Sequence, residues 1–165
     1  MIFLTVGTQF SFDRLVIAID RIIDDGLISE PVFAQIGESS YKPRNIESTA
    51  SLEKSVFDKY AEQASAIIGH AGMGTITTAL HNHKPLLVMP RRKKDGEVVN
   101  DHQVAIARKF EELGHILVAY DTDELPERIR QLETFVPKER KANPETVAER
   151  IRRFLDDLRV SSTIL

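Results

Sequence analysis

The chain has 165 residues, of which 42% are hydrophobic and 28% are charged. This length suits one globular domain with a sizeable core, and the composition argues against a disordered chain. A formal net charge of -3 and a sequence pI of about 6.0 lack the basic excess of general nucleic-acid-binding proteins. There are no cysteines, which excludes disulfides and thiolate metal sites.

Short apolar runs alternate along the chain with segments of helical periodicity. Strand-like runs occupy residues 2–6, 32–37, 66–69, 85–90 and 115–120, with one short strand expected near 45–48. The spacing of apolar residues predicts helices over 12–25, 51–64, 74–83, 101–113, 123–132 and about 144–159. Apolar strands between helices are typical of a parallel sheet that is covered on both faces. We therefore predict a single α/β domain over residues 1–165.

A glycine-rich turn between the strand at 66–69 and the next helix is the sharpest local signal. It reads Gly69-His70-Ala71-Gly72-Met73-Gly74-Thr75. Glycine lets the backbone approach a ligand closely, and the free N–H groups at a helix start favour an anion. Taken alone, the pattern fits phosphate binding and a plain tight turn about equally well. Its spacing is neither that of a P-loop nor that of the dinucleotide fingerprint.

Two side chains in this turn could act on a bound phosphate. Thr75 could donate its hydroxyl to a phosphate oxygen or cap the following helix. His70 could donate to a phosphate or carry a proton, and it is our candidate catalytic residue. His81 and His83, near a helix end, are interpreted as structural. The sequence contains no HExxH motif and no nucleophile elbow, so a metal-dependent or acyl-transfer enzyme is unsupported.

Two further segments are expected to reach the same edge of the sheet. The first strand ends in Val6-Gly7-Thr8-Gln9, which either lines a cleft or forms a loop to a helix capped by Ser11 or Asp13. The second segment, Asn100-Asp101-His102-Gln103, follows a basic run over 91–94. Its amide and imidazole groups suit sugar hydroxyls and phosphate oxygens. Asp101 could instead be only a helix N-cap, and such a basic run is more often a solvated loop than a site.

Together these segments resemble the C-terminal, donor-binding domain of glycosyltransferase family 28. The likeness is greatest to single-domain subunits of two-part transferases. These are the enzyme that adds the second N-acetylglucosamine to a dolichol-linked sugar and the PssE-type subunits of bacterial exopolysaccharide synthesis. The matching segments are 3–9 with 12–15, 69–75, 84–91, 96–97 and 100–103. Residues 121–165 match mainly in having terminal helices.

The resemblance implies a Rossmann-like fold, one half of the GT-B architecture, whose glycine turn holds the diphosphate of a UDP-sugar. The UDP-sugar is the donor substrate, and no cofactor or metal is expected. Carried over by position, the candidate donor-binding and cleft residues are Gly7, Thr8, Gly72, Met73, Gly74, Thr75, Arg91, Asn100, His102 and Gln103. Many family members have a glutamate that grips the ribose where this chain has Thr78. That departure weakens the ribose assignment and favours the bacterial subfamily.

The resemblance also implies a function, the catalytic subunit of an inverting UDP-sugar hexosyltransferase that acts on a lipid-linked saccharide in bacterial polysaccharide synthesis. We expect activity only with a membrane-associated, PssD-like subunit that binds the acceptor and holds this cytoplasmic chain at the inner face of the plasma membrane. The alternative is a non-catalytic nucleotide-binding partner that stabilises or regulates another transferase. A free-standing oxidoreductase is disfavoured because the dinucleotide fingerprint is missing.

The last predicted helix carries an apolar stripe. It consists of Val147, Ile151, Phe154, Leu155 and Leu158. The stripe could dock the partner subunit or cover the chain's own core, and we expect the second.

Overall fold

A six-stranded, all-parallel sheet forms the centre of the molecule. The computed structural model describes residues 1–139 and 144–161. The strands are β1 Ile2–Thr5, β2 Val32–Gln35, β3 Glu47–Thr49, β4 Ala66–His70, β5 Leu86–Met89 and β6 Leu117–Val118. Their order across the sheet is β3-β2-β1-β4-β5-β6. This is the strand order of a Rossmann-like fold, and it confirms the predicted α/β class.

Helices cover both faces of the sheet in the residues that the structure describes. The α-helices are α1 Asp13–Asp24, α2 Lys54–Gln63, α3 Met73–His81, α4 His102–Glu112, α5 Leu125–Leu132 and α6 Pro144–Ser161. Successive residues of a strand point to opposite faces, so Ile67 and Ile68 of β4 enter different cores. Helices α1 and α5 pack on the Ile68 side, whereas α2, α3 and α4 supply buried residues on the Ile67 side.

The aromatic side chains of β1, β2 and α2 form one cluster. Phe3, Phe33 and Tyr60 stack, with 4.0 Å between the ring centroids of Phe33 and Tyr60, and Phe57 meets Phe3 edge-on. Helix α2 packs on the sheet through Phe57, Tyr60 and Ala61, whereas Val56 is exposed.

The expected cap of α1 is also wrong. Phe12 occupies the N-cap position, and no side chain caps the helix. The carboxylate of Asp13 instead accepts hydrogen bonds from the Ser39 hydroxyl and from the backbone N–H of Ser40. Asp13 therefore fixes the loop after β2 rather than the start of its own helix.

The apolar stripe of α6 does not cover the chain's own core. Val147, Ile151, Phe154 and Leu155 are 60%, 55%, 62% and 51% exposed. The side chain of Leu158 lies outside the described residues. The expectation of core cover was thus wrong for the part of the stripe that is described. No helix within 1–139 and 144–161 is long and apolar enough to cross a membrane.

Candidate functional site

The candidate site lies at the carboxyl ends of β1 and β4. These strands are neighbours, and Thr5 pairs with Gly69. From β1 the chain continues through α1 to β2 on one side, and from β4 it continues through α3 to β5 on the other. Because the two connections diverge, they leave a crevice at this topological switch point.

A cleft of about 700 Å³ opens at this crevice. Its lining includes all of the candidate residues from the sequence, namely Gly7, Thr8, His70, Gly72, Met73, Gly74, Thr75, Arg91, Asn100, His102 and Gln103. The structure thus brings together segments that are up to about 95 residues apart in the chain. Thr78 also lines the cleft, as its position one turn after Thr75 suggests.

Several lining residues were missed by the sequence reasoning. Leu52 and Phe57 add an apolar wall, and Lys54 lies beside them at the start of α2. They follow β3, so the rule that places ligands beyond the carboxyl ends of strands could have found them. Because the strand signal near 45–48 is weak, the sequence did not indicate that the segment after this strand reaches the cleft.

The imidazole of His70 occupies the space between two glycines. A β-carbon on Gly72 would lie 2.2 Å from Nε2 of His70, and one on Gly7 would lie 2.9 Å from its Cε1. Gly7 also has φ +76, a left-handed conformation that favours glycine. On its third side, Nδ1 of His70 is 3.3 Å from the hydroxyl oxygen of Thr75. These two glycines therefore make room for a side chain of the protein itself.

Gly74 differs from the other glycines of the turn. A β-carbon there would have no atom within 4 Å, whereas one on Gly69 would lie 2.5 Å from the carbonyl oxygen of Thr5. Gly74 is in the first turn of α3, whose N-cap is Gly72 and which has no side-chain cap. Thr75 is therefore not the helix cap. The open space at Gly74 and the uncapped backbone N–H groups together suit an anion.

The environment of His70 keeps its ring neutral. Burial, reinforced by the positive charge of Arg91, lowers the pKa of His70 from 6.5 to about 4. At neutral pH the imidazole therefore has one donor and one acceptor nitrogen. A neutral ring can donate to a phosphate, but a base of such low pKa takes up a proton weakly near pH 7.

Arg91 is buried beneath the cleft, with only 3% of its surface exposed. Its Nη2 donates to the carbonyl oxygens of Val6 and Phe10, at 2.8 and 2.5 Å. Its Nε is the one buried side-chain polar atom without a partner in the part of the chain that the structure describes. Burial lowers the pKa of Arg91 to about 10, so it stays charged at neutral pH. The interpretation of 91–94 as a solvated loop was therefore wrong at Arg91.

Asn100, His102 and Gln103 also line the cleft. Gln103 is buried, and its Oε1 accepts the backbone N–H of Arg91 at 3.2 Å. Asn100 and His102 are exposed and contact each other, with 3.0 Å between Oδ1 and Nδ1. Asp101 is at the N-cap of α4 but accepts the backbone N–H of Lys93 instead of capping the helix.

An ion cluster holds the loop between β5 and α4. Arg14 of α1 makes two hydrogen bonds to Glu97, Nε to Oε1 at 2.8 Å and Nη2 to Oε2 at 3.0 Å. Arg92 pairs with Asp95 and Asp121. The hydrogen bond from Arg92 lowers the pKa of Asp121 to about 2. No group of three His, Asp or Glu side chains within 1–139 and 144–161 is placed to hold a metal ion.

The fold and the cleft define a class of protein, the Rossmann-like domains whose glycine turn at the switch point suits an anion. The model of the glycosyltransferase family 28 C-terminal domain matches residues 1–158. The chain belongs to this family.

Curated relatives with significant sequence similarity are UDP-N-acetylglucosamine transferase subunits called ALG13. The one from Cryptococcus neoformans is 34% identical over 104 residues, which cover 62% of this chain and 50% of that protein. The human one is 30% identical over 125 residues, covering 70% of this chain and 10% of that protein. The chain thus spans half or less of the length of these relatives.

Solved structures of glycosyltransferases share the fold. The glycotransferase of kitacinnamycin has a TM-score of 0.61 and 21% identity, over 81% of this chain and 34% of that one. Acinetobacter baumannii MurG has a TM-score of 0.57 and 23% identity, over 80% of this chain and 40% of that one. The solution structure of ALG13 has a TM-score of 0.57 and 20% identity, over 87% of this chain and 91% of that one. These likenesses confirm the predicted fold, one half of a GT-B glycosyltransferase.

Proposed function

We propose that this chain is the donor-binding, catalytic subunit of an inverting UDP-sugar hexosyltransferase. The open space at Gly74, in the uncapped first turn of α3, carries this proposal. In the part of the chain that the structure describes, no atom lies within 4 Å of a β-carbon built at Gly74, so packing does not require a glycine there. A phosphate of the donor diphosphate that approached the backbone there would require one.

The charge beneath the cleft supports the same ligand. Among the described residues Arg91 makes no direct ion pair, and its partners are carbonyl oxygens. The carboxylate of Glu97 acts on Arg91 without a direct ion pair, and a buried guanidinium of this kind favours a further anion nearby. The diphosphate of a nucleotide-sugar supplies that charge, while the apolar wall of Leu52 and Phe57 suits its less polar parts.

The chemistry assigned to this site is a single displacement. The acceptor hydroxyl attacks the anomeric carbon, the bond from that carbon to the diphosphate oxygen breaks, and UDP leaves with the electron pair. A base takes the hydroxyl proton, and the configuration at the anomeric carbon inverts. The backbone N–H groups of the glycine turn and the charge of Arg91 stabilise the departing diphosphate.

His70 is proposed to act at this step through the leaving group. Its ring lies between Gly7 and Gly72, with Thr75 on the third side, in the same turn to which we assign the diphosphate. A bound diphosphate is an added negative charge, so it opposes the effect of Arg91 and raises the pKa of His70. In its protonated form the imidazole can donate to the departing oxygen, and this is the role proposed for it as a proton carrier.

The acceptor site is proposed to belong to a second, membrane-associated subunit of the PssD type. The described residues form one half of a GT-B enzyme, and the relatives named above are themselves called subunits. The exposed face of α6 is an apolar surface suited to a protein partner. That partner supplies the lipid-linked saccharide and keeps this chain at the inner face of the plasma membrane.

Two assays test this function. In a thermal-shift screen of UDP, UDP-sugars, GDP-mannose and NAD, uridine nucleotides raise the melting temperature and NAD does not. The co-expressed pair of subunits then transfers a sugar from a UDP-sugar to a lipid-linked acceptor. Absence of any shift with uridine nucleotides would remove the donor assignment. Binding of UDP without transfer in the pair would favour the non-catalytic partner.

A further inference from the structure

Two loops line the cleft, and two arginines link them to each other. The first loop, residues 6–12, joins β1 to α1, and the second loop, residues 90–101, joins β5 to α4. Arg91 of the second loop reaches the first, where its Nη2 donates to Val6 and Phe10. Arg14, just after the first loop, reaches the second.

Arg14 contacts the second loop at its first residue, Pro90, and again at Glu97. Its Nη2 donates to the carbonyl oxygen of Pro90 at 3.2 Å, where the loop begins. Its Nε and Nη2 also donate to the carboxylate of Glu97. Oε2 of Glu97 further accepts the backbone N–H of Arg92 at 2.9 Å, which closes the loop on itself. Glu97 directly precedes Val98, Val99 and Asn100, which line the cleft.

Both arginines contact the ring of Phe12. The guanidinium carbon of Arg91 is 4.9 Å from the ring centroid, and that of Arg14 is 5.4 Å from it. Phe12 is buried, so both cations contact a ring that water does not reach. Arg14, Phe12, Arg91 and Glu97 thus form one connected unit, here called the arginine clasp.

We infer that Arg14 and Glu97 are positioning residues of the donor site, acting through the arginine clasp without touching the donor. The inference rests on the proposed function. The clasp fixes the spacing between the two loops, so that Gly7 and Thr8 of the first loop and Asn100 of the second are in place before a donor enters. Preorganisation of this kind lowers the ordering cost of binding.

The test compares Arg14→Gln, Arg14→Lys and Glu97→Gln with the exposed control Lys109→Met on α4. We measure UDP affinity by calorimetry, and backbone amide exchange of the two loops in the absence of UDP. Arg14→Gln and Glu97→Gln each weaken UDP binding at least about fivefold, within the usual range for coupled sites. Both substitutions speed exchange in both loops, including residues 7–10, which neither substitution touches. The double variant is no weaker than the worse single variant, because both act through one unit.

The control and the conservative variant sharpen the result. Lys109→Met leaves affinity and exchange unchanged, and Arg14→Lys gives an intermediate loss, since one ammonium cannot reach Pro90 and both oxygens of Glu97. Unchanged UDP affinity in the folded Arg14→Gln and Glu97→Gln proteins would overturn the inference, as would unchanged exchange in either loop. If the unmodified chain does not bind UDP, the proposed function fails. In that case the amide exchange of the two loops in Arg14→Gln and Glu97→Gln still shows whether Arg14 and Glu97 hold these loops together.

Discussion

Nε2 of His70 lies where only a glycine at position 72 leaves it room. A β-carbon on Gly72 would stand 2.2 Å from that nitrogen, far inside van der Waals contact. The ring has little room to move away from residue 72, because Gly7 lies close on its other side. A β-carbon on Gly7 would stand 2.9 Å from Cε1 of His70. The histidine and the glycine two residues later therefore depend on each other.

Gly72→Ala is accordingly expected to destabilise the protein. The added methyl group displaces His70 and strains the turn, at a cost of roughly 1–3 kcal/mol in the free energy of unfolding. Urea denaturation measures this cost. The double variant His70→Ala, Gly72→Ala should lose less than the two single variants added together. A Gly72→Ala protein as stable as the unmodified chain would show that the ring is not confined.

Substitutions at Gly74 are expected to separate binding from folding. Gly74→Ala fits the open space and favours the helix by about 1 kcal/mol, so the melting temperature stays or rises. Gly74→Arg also folds, but its side chain fills the place proposed for the diphosphate. UDP binding by calorimetry should therefore be lost in Gly74→Arg.

The matched control for Gly74→Arg is Thr77→Arg, in the same helix but outside the cleft lining. It should bind UDP as the unmodified chain does. Retained binding in the folded Gly74→Arg protein would place the diphosphate elsewhere.

The lowered pKa of His70 predicts a dependence of stability on pH. Between the ordinary value of 6.5 and the folded value of about 4, the unfolded chain binds a proton that the folded protein does not. Neutral His70 therefore contributes to the free energy of unfolding. This contribution is fully present above about pH 6.5 and is lost as the pH falls towards about 4. It amounts to at most about 3 kcal/mol.

Urea denaturation of the unmodified chain and of His70→Gln over this pH range provides the measurement. The unmodified chain should lose stability more steeply on acidification, and the difference between the two curves isolates His70. Asp121, with a pKa of about 2, acts mainly at lower pH. Parallel curves would mean that folding does not lower the pKa of His70.

The exposed face of α6 predicts a substitution that affects assembly but not folding. Phe154→Asp removes an apolar side chain from water, so the free energy of unfolding of the isolated chain should change by less than about 0.5 kcal/mol. Co-purification with the acceptor-binding subunit should nevertheless fail.

The comparison for Phe154→Asp is Leu15→Ala, which empties a fully buried position in α1. This change should cost about 2–5 kcal/mol and lower the melting temperature. If Phe154→Asp left co-purification intact, α6 would not be the docking surface.

The sequence was informative where a local pattern determines the structure. Glycines after apolar strands predicted the turns at Gly7 and Gly72, and the switch-point rule then placed both at one edge of the sheet. The burial of Arg91 could not be read from the basic run around it. Its partners are carbonyl oxygens of Val6 and Phe10, about 80 residues earlier, which only the folded chain brings near.

Amphipathic periodicity had a similar limit in α6. The spacing of apolar residues predicted the helix and its apolar side. It did not predict whether that side packs on the chain's own core or on another protein. In β6 the apolar run 115–120 overestimated the strand. His115 is instead tied to the segment before α6, with 2.8 Å between its Nδ1 and the carbonyl oxygen of Lys138.

The lengths of the outer strands have a consequence for how this protein meets other chains. β3 has 3 residues and β6 has 2, whereas the four inner strands have 4 or 5. A short outer strand offers few free backbone groups to an incoming strand. Growth of the sheet by strand addition, whether by a partner or by another copy, is therefore disfavoured, and contacts with other chains are left to side chains on helices and loops.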